Sequence, residues 1–154
     1  MAKEIERKFL IDVKDWNFEG TPVKMKQAYL SVDPGKVIRV RMAGNRAMLT
    51  IKGNLHGISR DEFEYEIPFD DVVQLMELRE GAVVEKTRYL LDLNGKTWEI
   101  DVFEGENAGL VVAEIELESE MEAFEKPGWI GDEVSTDVRY YNFSLSKNPF
   151  SKWQ

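Results

Sequence analysis

The sequence predicts a mainly β protein of the α+β kind: about eight antiparallel strands, few helices, and a sheet large enough to curl or close. Three observations predict it. Apolar and charged residues alternate with the period of two that marks strands through most of the chain. Tight-turn signatures separate the alternating runs, so neighbouring strands pair antiparallel. Helical spacing is confined to short stretches. With 154 residues and no repeat, low-complexity tract or Pro/Ser-rich linker, one domain over 1–154 is the simplest organisation.

The first strand spans Ala2 to Leu10. Val23 to Val32 is rich in β-formers and stops at Asp33-Pro34-Gly35, a turn sequence. Val37 to Met42 follows, then the turn Ala43-Gly44-Asn45 and a strand from Ala47 to Lys52. Gly53 to Gly57 reads as a loop, with His56 a solvated residue in it. Arg60 to Phe69 alternates without a break. Asp70 and Asp71 suit the first turn of a helix, Val72, Val73, Leu75, Met76 and Leu78 continue it, and Gly81 ends it. Val83 to Leu93 and Thr97 to Phe103 flank Asn94-Gly95, a strong hairpin signal. Leu110 to Glu118 is the last long strand. Short helices are expected over Glu120–Glu125 and Tyr140–Ser146.

Sorting each strand by parity separates two faces. One carries Glu4, Glu6 and Lys8; Arg39 and Arg41; Lys52; Glu62, Glu64 and Glu66; Lys86 and Arg88; Glu99 and Asp101; and Glu114, Glu116 and Glu118. The other carries residues such as Ile5, Phe9, Ile38, Val40, Trp98, Ile100 and Ile115, with Trp98 as packing. An ordinary wet face mixes signs, and like charges in a row are costly without compensation. Here the stripes are mostly of one sign within each strand. Carboxylates supply hard oxygen ligands to Mg²⁺ or Mn²⁺, and Arg and Lys clamp phosphate oxygens. A metal-bound polyphosphate is the natural ligand for such a set.

Composition excludes several alternatives. The 29 acidic and 20 basic residues give a net charge of −9, which argues against a nucleic-acid polymer as partner but not against a small anion. Without cysteine there is no disulfide, thiolate metal site or cysteine nucleophile. One histidine rules out a multi-histidine metal site. No apolar run approaches the ~18 residues of a membrane span, and the N-terminus is too charged for a signal peptide. A cytoplasmic protein is expected. There is no GxxxxGK[ST] phosphate loop either.

Glu4-Ile5-Glu6-Arg7-Lys8 is an ExExK motif, and with it the chain resembles the CYTH superfamily, the triphosphate tunnel metalloenzymes. QAYL at 27–30, VIRVR with Arg39 and Arg41, TIKG with Lys52, GISR before the Glu62/Glu64/Glu66 strand, EKTRY with Lys86 and Arg88, WEIDVF with Asp101, AEIELE, WIG at 129–131 and DVRY at 137–140 follow in the same order. The likeness spans nearly the whole chain and is nearest to the short bacterial members. It implies an eight-stranded antiparallel β-barrel forming a charged tunnel, with outer helices. Apolar outer faces would then need cover from Val72, Leu75 and Met76 or from a second subunit, and a homodimer is expected.

Carried over by position, the resemblance implies metal ligation by Glu4, Glu6, Glu114 and Glu116, with Asp101 and Glu64 as further metal or water-shell groups. It implies a triphosphate clamp of Lys8, Arg39, Arg41, Lys52, Lys86, Arg88 and Arg139, with Tyr29 and Lys147 as outlying members. Lys8, Lys86, Glu114 and Glu116 form the implied catalytic set; Glu62 and Glu118 read as ordinary surface residues. The activity expected is Mg²⁺- or Mn²⁺-dependent hydrolysis of the terminal phosphate of inorganic triphosphate, because nothing in the sequence offers a base-stacking pocket. Adenylate cyclase chemistry of the class IV type, nucleoside or thiamine triphosphatase activity, and non-catalytic polyphosphate or nucleotide sensing stay open.

Overall fold

The structure, a computed structural model, describes residues 3–12, 14, 16–17, 19–33, 35–56 and 58–153, with the side chains of 54–56 set aside. The expectations for Ala2, Pro34 and the His56 side chain lie outside the described residues. The strands are β1 (Lys3–Ile11), β2 (Thr21–Asp33), β3 (Lys36–Ala43), β4 (Arg46–His56), β5 (Ser59–Ile67), β6 (Glu80–Leu93), β7 (Lys96–Phe103), β8 (Val111–Glu116) and β9 (Ile130–Glu133). Two α-helices accompany them, α1 (Phe69–Met76) and α2 (Asn142–Lys147), with 3₁₀ turns at Gly105–Asn107, Val138–Tyr140 and Phe150–Lys152.

The strands join in the order β5-β4-β3-β2-β6-β7-β8-β1. Lys3↔Asp61, Glu4↔Arg60 and Ile5↔Ser59 then pair β1 back onto β5, which closes an eight-stranded antiparallel barrel. β9 extends the same edge of β1 beyond β5, at Phe9↔Glu133 and Ile11↔Ile130. Asn94 (φ 53°) and Gly95 (φ 76°) both take left-handed backbone, the geometry that the β6–β7 hairpin requires.

The barrel is built inside out. Phe9, Trp98, Ile100, Ala113 and Ile115 point outward and are covered by Trp16, Phe124, Trp129 and Ile130. Ala28, Val40 and Ala47 are covered by Val72 and Met76 of α1, with Leu75 partly buried beside them. Burial of apolar surface, the main favourable term in folding, therefore lies outside the cylinder. The third cluster lies elsewhere. Two residues along from Lys8, Lys86, Asp101 and Glu114, the same strand faces carry Leu10, Val84, Phe103 and Val112. These pack with Leu145 of α2. Thus α2 stoppers one end of the barrel, and the lumen is a charged cup.

Three expectations need correction. Glu120–Glu125 forms no helix: the Glu118 N–H donates to the Glu122 side chain, and Phe124 packs edge-on against both Phe9 and Trp98. β4 runs on to His56, so the loop before Gly57 is shorter than expected. β9 was not anticipated, since four residues are too few to show alternation. Among the described residues, no helix is long and apolar enough to cross a membrane.

Candidate functional site

Strand parity delivers the site. A cavity of about 260 Å³ is lined by Glu4, Glu6 and Lys8 of β1, Arg39 and Arg41 of β3, Lys52 of β4, Glu62 and Glu64 of β5, Lys86 and Arg88 of β6, and Glu114 and Glu116 of β8. Tyr29, Arg60, Glu99, Tyr141 and Asn142 join the lining. A charged side chain is costly to bury unless it is paired, so the partners of each decide what the cavity can do.

Asp101 is the keystone of the basic side. It is 1% exposed, beneath the lining, and accepts from Arg88 Nε (2.8 Å), Arg88 Nη2 (3.0 Å) and Lys86 Nζ (2.7 Å). Burial alone would raise its pKa; Arg88 and Lys86 outweigh that and hold it well below the usual carboxylate range. Both its oxygens are therefore engaged by cations. Lys86 is wholly buried, and that pushes its ammonium down to about 7; Asp101 opposes the shift while Arg88 and Arg41 add to it. Arg41 is drawn down to about 9 by burial and by the neighbouring Arg39 and Arg88. Arg41 Nε donates to Gln27 Oε1 (2.8 Å), and Arg39 Nη2 donates to Thr50 Oγ1 (3.1 Å). Among the described residues, the Nε of Arg39 is buried with no hydrogen-bond partner. An oxyanion in the cavity would satisfy it.

The acidic side faces this set. The pairings Glu6↔Glu116, Lys8↔Glu114 and Glu99↔Glu114 bring the carboxylates together. Glu6, Glu99 and Glu114 each offer an oxygen, all within 4.8 Å of one another. Glu6 is raised well above the usual range by burial and by Glu114 and Glu4. Burial would also raise Glu114, but Lys8 (3.4 Å), Arg88 and a hydrogen bond with Glu6 hold it at about 2. The two carboxylates are thus pushed in opposite directions, and a divalent cation between them would favour the ionised form of both. At β4–β5, Lys52 bridges Glu4 (3.0 Å) and Glu62 (3.3 Å).

Arg139 and Lys147 stand apart from the cavity lining. Asp137 accepts from both the backbone and the guanidinium of Arg139, whose side chain lies against the rings of Tyr140 and Trp153. Exposed and paired with Asp137, it lies outside the cavity lining. Lys147 pairs with Glu80 on the surface. Glu64 lines the cavity near Arg39 (3.5 Å) and accepts from Thr50. Glu62 is in the lining, contrary to expectation, whereas Glu118 is exposed outside it. Glu99 was missed although parity places it beside Asp101. Gln27, Thr50 and Asn142 were missed because neutral side chains do not stand out in a charge pattern. A recess of about 380 Å³ adjoins the cavity; Val32, Val37, Val138, Tyr141 and Phe143 form its apolar wall, with Asp33, Lys36, Lys52 and Arg60 also lining it, and no period or motif in the sequence marks it.

The sequence model of the CYTH domain matches residues 2–148. An inorganic triphosphatase of Acetivibrio thermocellus is 46% identical over 155 residues, covering 100% of this chain and 99% of its own. An inorganic triphosphatase of Nitrosomonas europaea is 38% identical over 148 residues, covering 93% and 96%. The crystal structure of the inorganic triphosphatase NE1496 superimposes with a TM-score of 0.68 at 36% identity, covering 95% of each chain.

Proposed function

Because the chain belongs to the CYTH domain family, we propose that it is a metal-dependent inorganic triphosphatase that cleaves the terminal phosphate from tripolyphosphate. The observation that carries the reading is the lumen itself. Lys8, Arg39, Arg41, Lys52, Lys86 and Arg88 converge on one cavity, with the Arg39 Nε unsatisfied, and they face a carboxylate cluster across it. A ligand made only of phosphates uses every one of these groups.

Glu6, Glu99 and Glu114 would hold the metal, with Glu4 and Glu116 beside them; all are hard oxygen donors, suited to Mg²⁺ or Mn²⁺. When bound, the metal neutralises phosphate oxygens and polarises the terminal phosphorus toward attack. The basic residues hold the chain in line and stabilise charge on its bridging and terminal oxygens. Water adds to the terminal phosphorus, the bridging P–O bond breaks, and pyrophosphate and phosphate leave. Glu114 or Glu116 takes the water's proton. Asp101 holds Lys86 and Arg88 in aim and is not a metal ligand in this reading.

The test is phosphate release from inorganic triphosphate, ATP and thiamine triphosphate with Mg²⁺ or Mn²⁺, with cyclic AMP measured alongside. Inorganic triphosphate is expected to give the highest kcat/KM, and a chelator to abolish turnover. The apolar wall of the recess favours a second reading, in which an organic group on the far phosphate rests against Tyr141 and Phe143. A higher kcat/KM for ATP or thiamine triphosphate would select it. Tight binding without turnover would show a sensor.

A pH effect follows from Lys86. Its pKa of about 7 in the free protein must rise when a polyanion arrives. At pH 8 binding of inorganic triphosphate in metal-free buffer should therefore take up about one proton beyond any taken by the ligand. The uptake should vanish in Lys86→Met and shrink at pH 6, where the ammonium is already formed. Calorimetry in buffers of different ionisation enthalpy measures it; equal uptake in the variant would refute it.

A further inference from the structure

We propose that Asn142 is a positioning residue, which holds the Lys86 ammonium in aim and ties it through Gln27 to the Arg41 guanidinium, so that the seating of α2 sets the geometry of the basic side of the cup. The inference rests on the triphosphatase reading and goes beyond it, to a residue outside the barrel strands.

Donor and acceptor logic fixes the network. Arg41 and the ammonium form of Lys86 have no acceptor. Arg41 Nε donates to Gln27 Oε1 at 2.8 Å, so the Gln27 amide has only one workable orientation. Its Nε2 then donates to Tyr29 Oη (2.9 Å) and to Asn142 Oδ1 (3.1 Å). Lys86 Nζ donates to the same Asn142 oxygen at 2.9 Å. Gln27 and Lys86 are both 0% exposed, so neither can turn to bulk water for another partner. An ammonium has three N–H groups. Asp101 takes one and Asn142 takes another. With two directions fixed, the third N–H is fixed as well, and it is left for a ligand in the cavity that Lys86 lines.

Asn142 is held by the stopper. It is the first residue of α2, whose Leu145 is 1% exposed in the apolar end of the lumen. β6, which carries Lys86, runs close beneath α2 at Gly81. A Cβ there would lie 2.7 Å from the Ser146 carbonyl oxygen, and the residue has φ +73°. Glycine is thus required both for the close approach and for the backbone. The strand that presents Lys86 and the helix that presents its acceptor are seated on each other at two places.

The test is phosphate release from inorganic triphosphate by Asn142→Leu and Asn142→Asp. Leucine fills the space without an acceptor; aspartate keeps the acceptor oxygen. Asn142→Leu should lower kcat about tenfold or more with KM within about threefold, since the other cations still bind while the ammonium loses its direction. Asn142→Asp should keep kcat within about threefold of wild type. If the leucine variant fails to fold, Asn142→Ala, a good helix former, is expected to lose at least about threefold in kcat, a water taking part of the acceptor's place. A second readout does not depend on turnover. In lysine-¹⁵N-labelled protein in mildly acidic solution, an exchange-protected ammonium signal that disappears in Lys86→Met should persist in Asn142→Asp and broaden in Asn142→Leu. Wild-type kcat in the leucine variant, equal loss in the aspartate variant, or an unchanged ammonium signal would overturn the inference. A wild-type protein that releases no phosphate would defeat the triphosphatase reading instead, and the ammonium signal would still decide the role of Asn142.

Discussion

Replacing Asp101 with alanine is expected to lower the unfolding free energy by about 3–5 kcal/mol, among the largest effects of any single change in the lumen. Asp101 is the common acceptor for Lys86 and both ends of the Arg88 fork. All three residues are buried. Without the carboxylate, the buried Arg88 guanidinium next to Arg41 keeps only Glu99 as a charge partner, and Lys86 loses the carboxylate that favours its ammonium. Removing one partner of a buried pair costs far more than the pair's net worth, because the survivors keep their desolvation penalty. Asp101→Asn should recover part of the loss, since it restores an acceptor but no charge. Denaturant unfolding at neutral pH measures this as a fall in midpoint at constant slope. Added inorganic triphosphate should raise the midpoint again by binding only the folded form. A loss below about 1 kcal/mol would mean that Asp101 does not organise the basic side.

Arg39 should behave in the opposite way. Arg39→Met is expected to reduce kcat about 10²–10³-fold, the usual effect of removing one preorganised donor from a developing oxyanion. Its effect on stability should be within about 1 kcal/mol, or stabilising. The physical reason is what Arg39 lacks. Among the described residues its Nε is buried without a hydrogen-bond partner, and its charge presses on Arg41. It donates to Thr50 at 3.1 Å and approaches Glu64 at 3.5 Å, whose side chain is 38% exposed, so that ion pair is weak. Methionine would fill the volume of the stem, remove a charge that is only weakly paired and end its repulsion of Arg41. Steady-state kinetics beside denaturant unfolding separate the two effects. Unchanged turnover would take Arg39 out of the clamp; a loss of several kcal/mol in stability would make it a structural residue.

Much of this arrangement was legible in the sequence because a strand writes its two faces into alternate letters. Glu4, Glu6 and Lys8 against Ile5 and Phe9, and Arg39 and Arg41 against Val40, needed no structure to be sorted. Parity alone could not say which face points inward, since a charged exterior over an apolar core has the same pattern. The resemblance to a known family supplied that choice, and the closure of β1 on β5 agrees with it. The apolar end of the lumen was hidden for a related reason. Leu10, Val84, Phe103 and Val112 share the charged face, and only the seating of Leu145 explains them. The DVRY run gives no sign that the 3₁₀ turn folds the Arg139 guanidinium back onto Asp137, outside the cavity lining. Glu120 to Glu125 has helical composition, yet Phe124 gains more by packing against Phe9 and Trp98 than a short isolated helix could return. Asn142 is neutral and outside any strand, so neither period nor charge marks it.

In the triphosphatase reading the lumen holds a divalent cation against a chain of phosphates. Its most direct test is a crystal structure of the protein with inorganic triphosphate and Mn²⁺, with the metal located by anomalous scattering. The metal signal is expected at Glu6, Glu99 and Glu114, and phosphate oxygens within hydrogen-bonding reach of the Arg39 Nε and the Lys86 ammonium. A metal and a polyphosphate bound together on the outer surface, with only water among Arg39, Lys86 and Glu114, would contradict it.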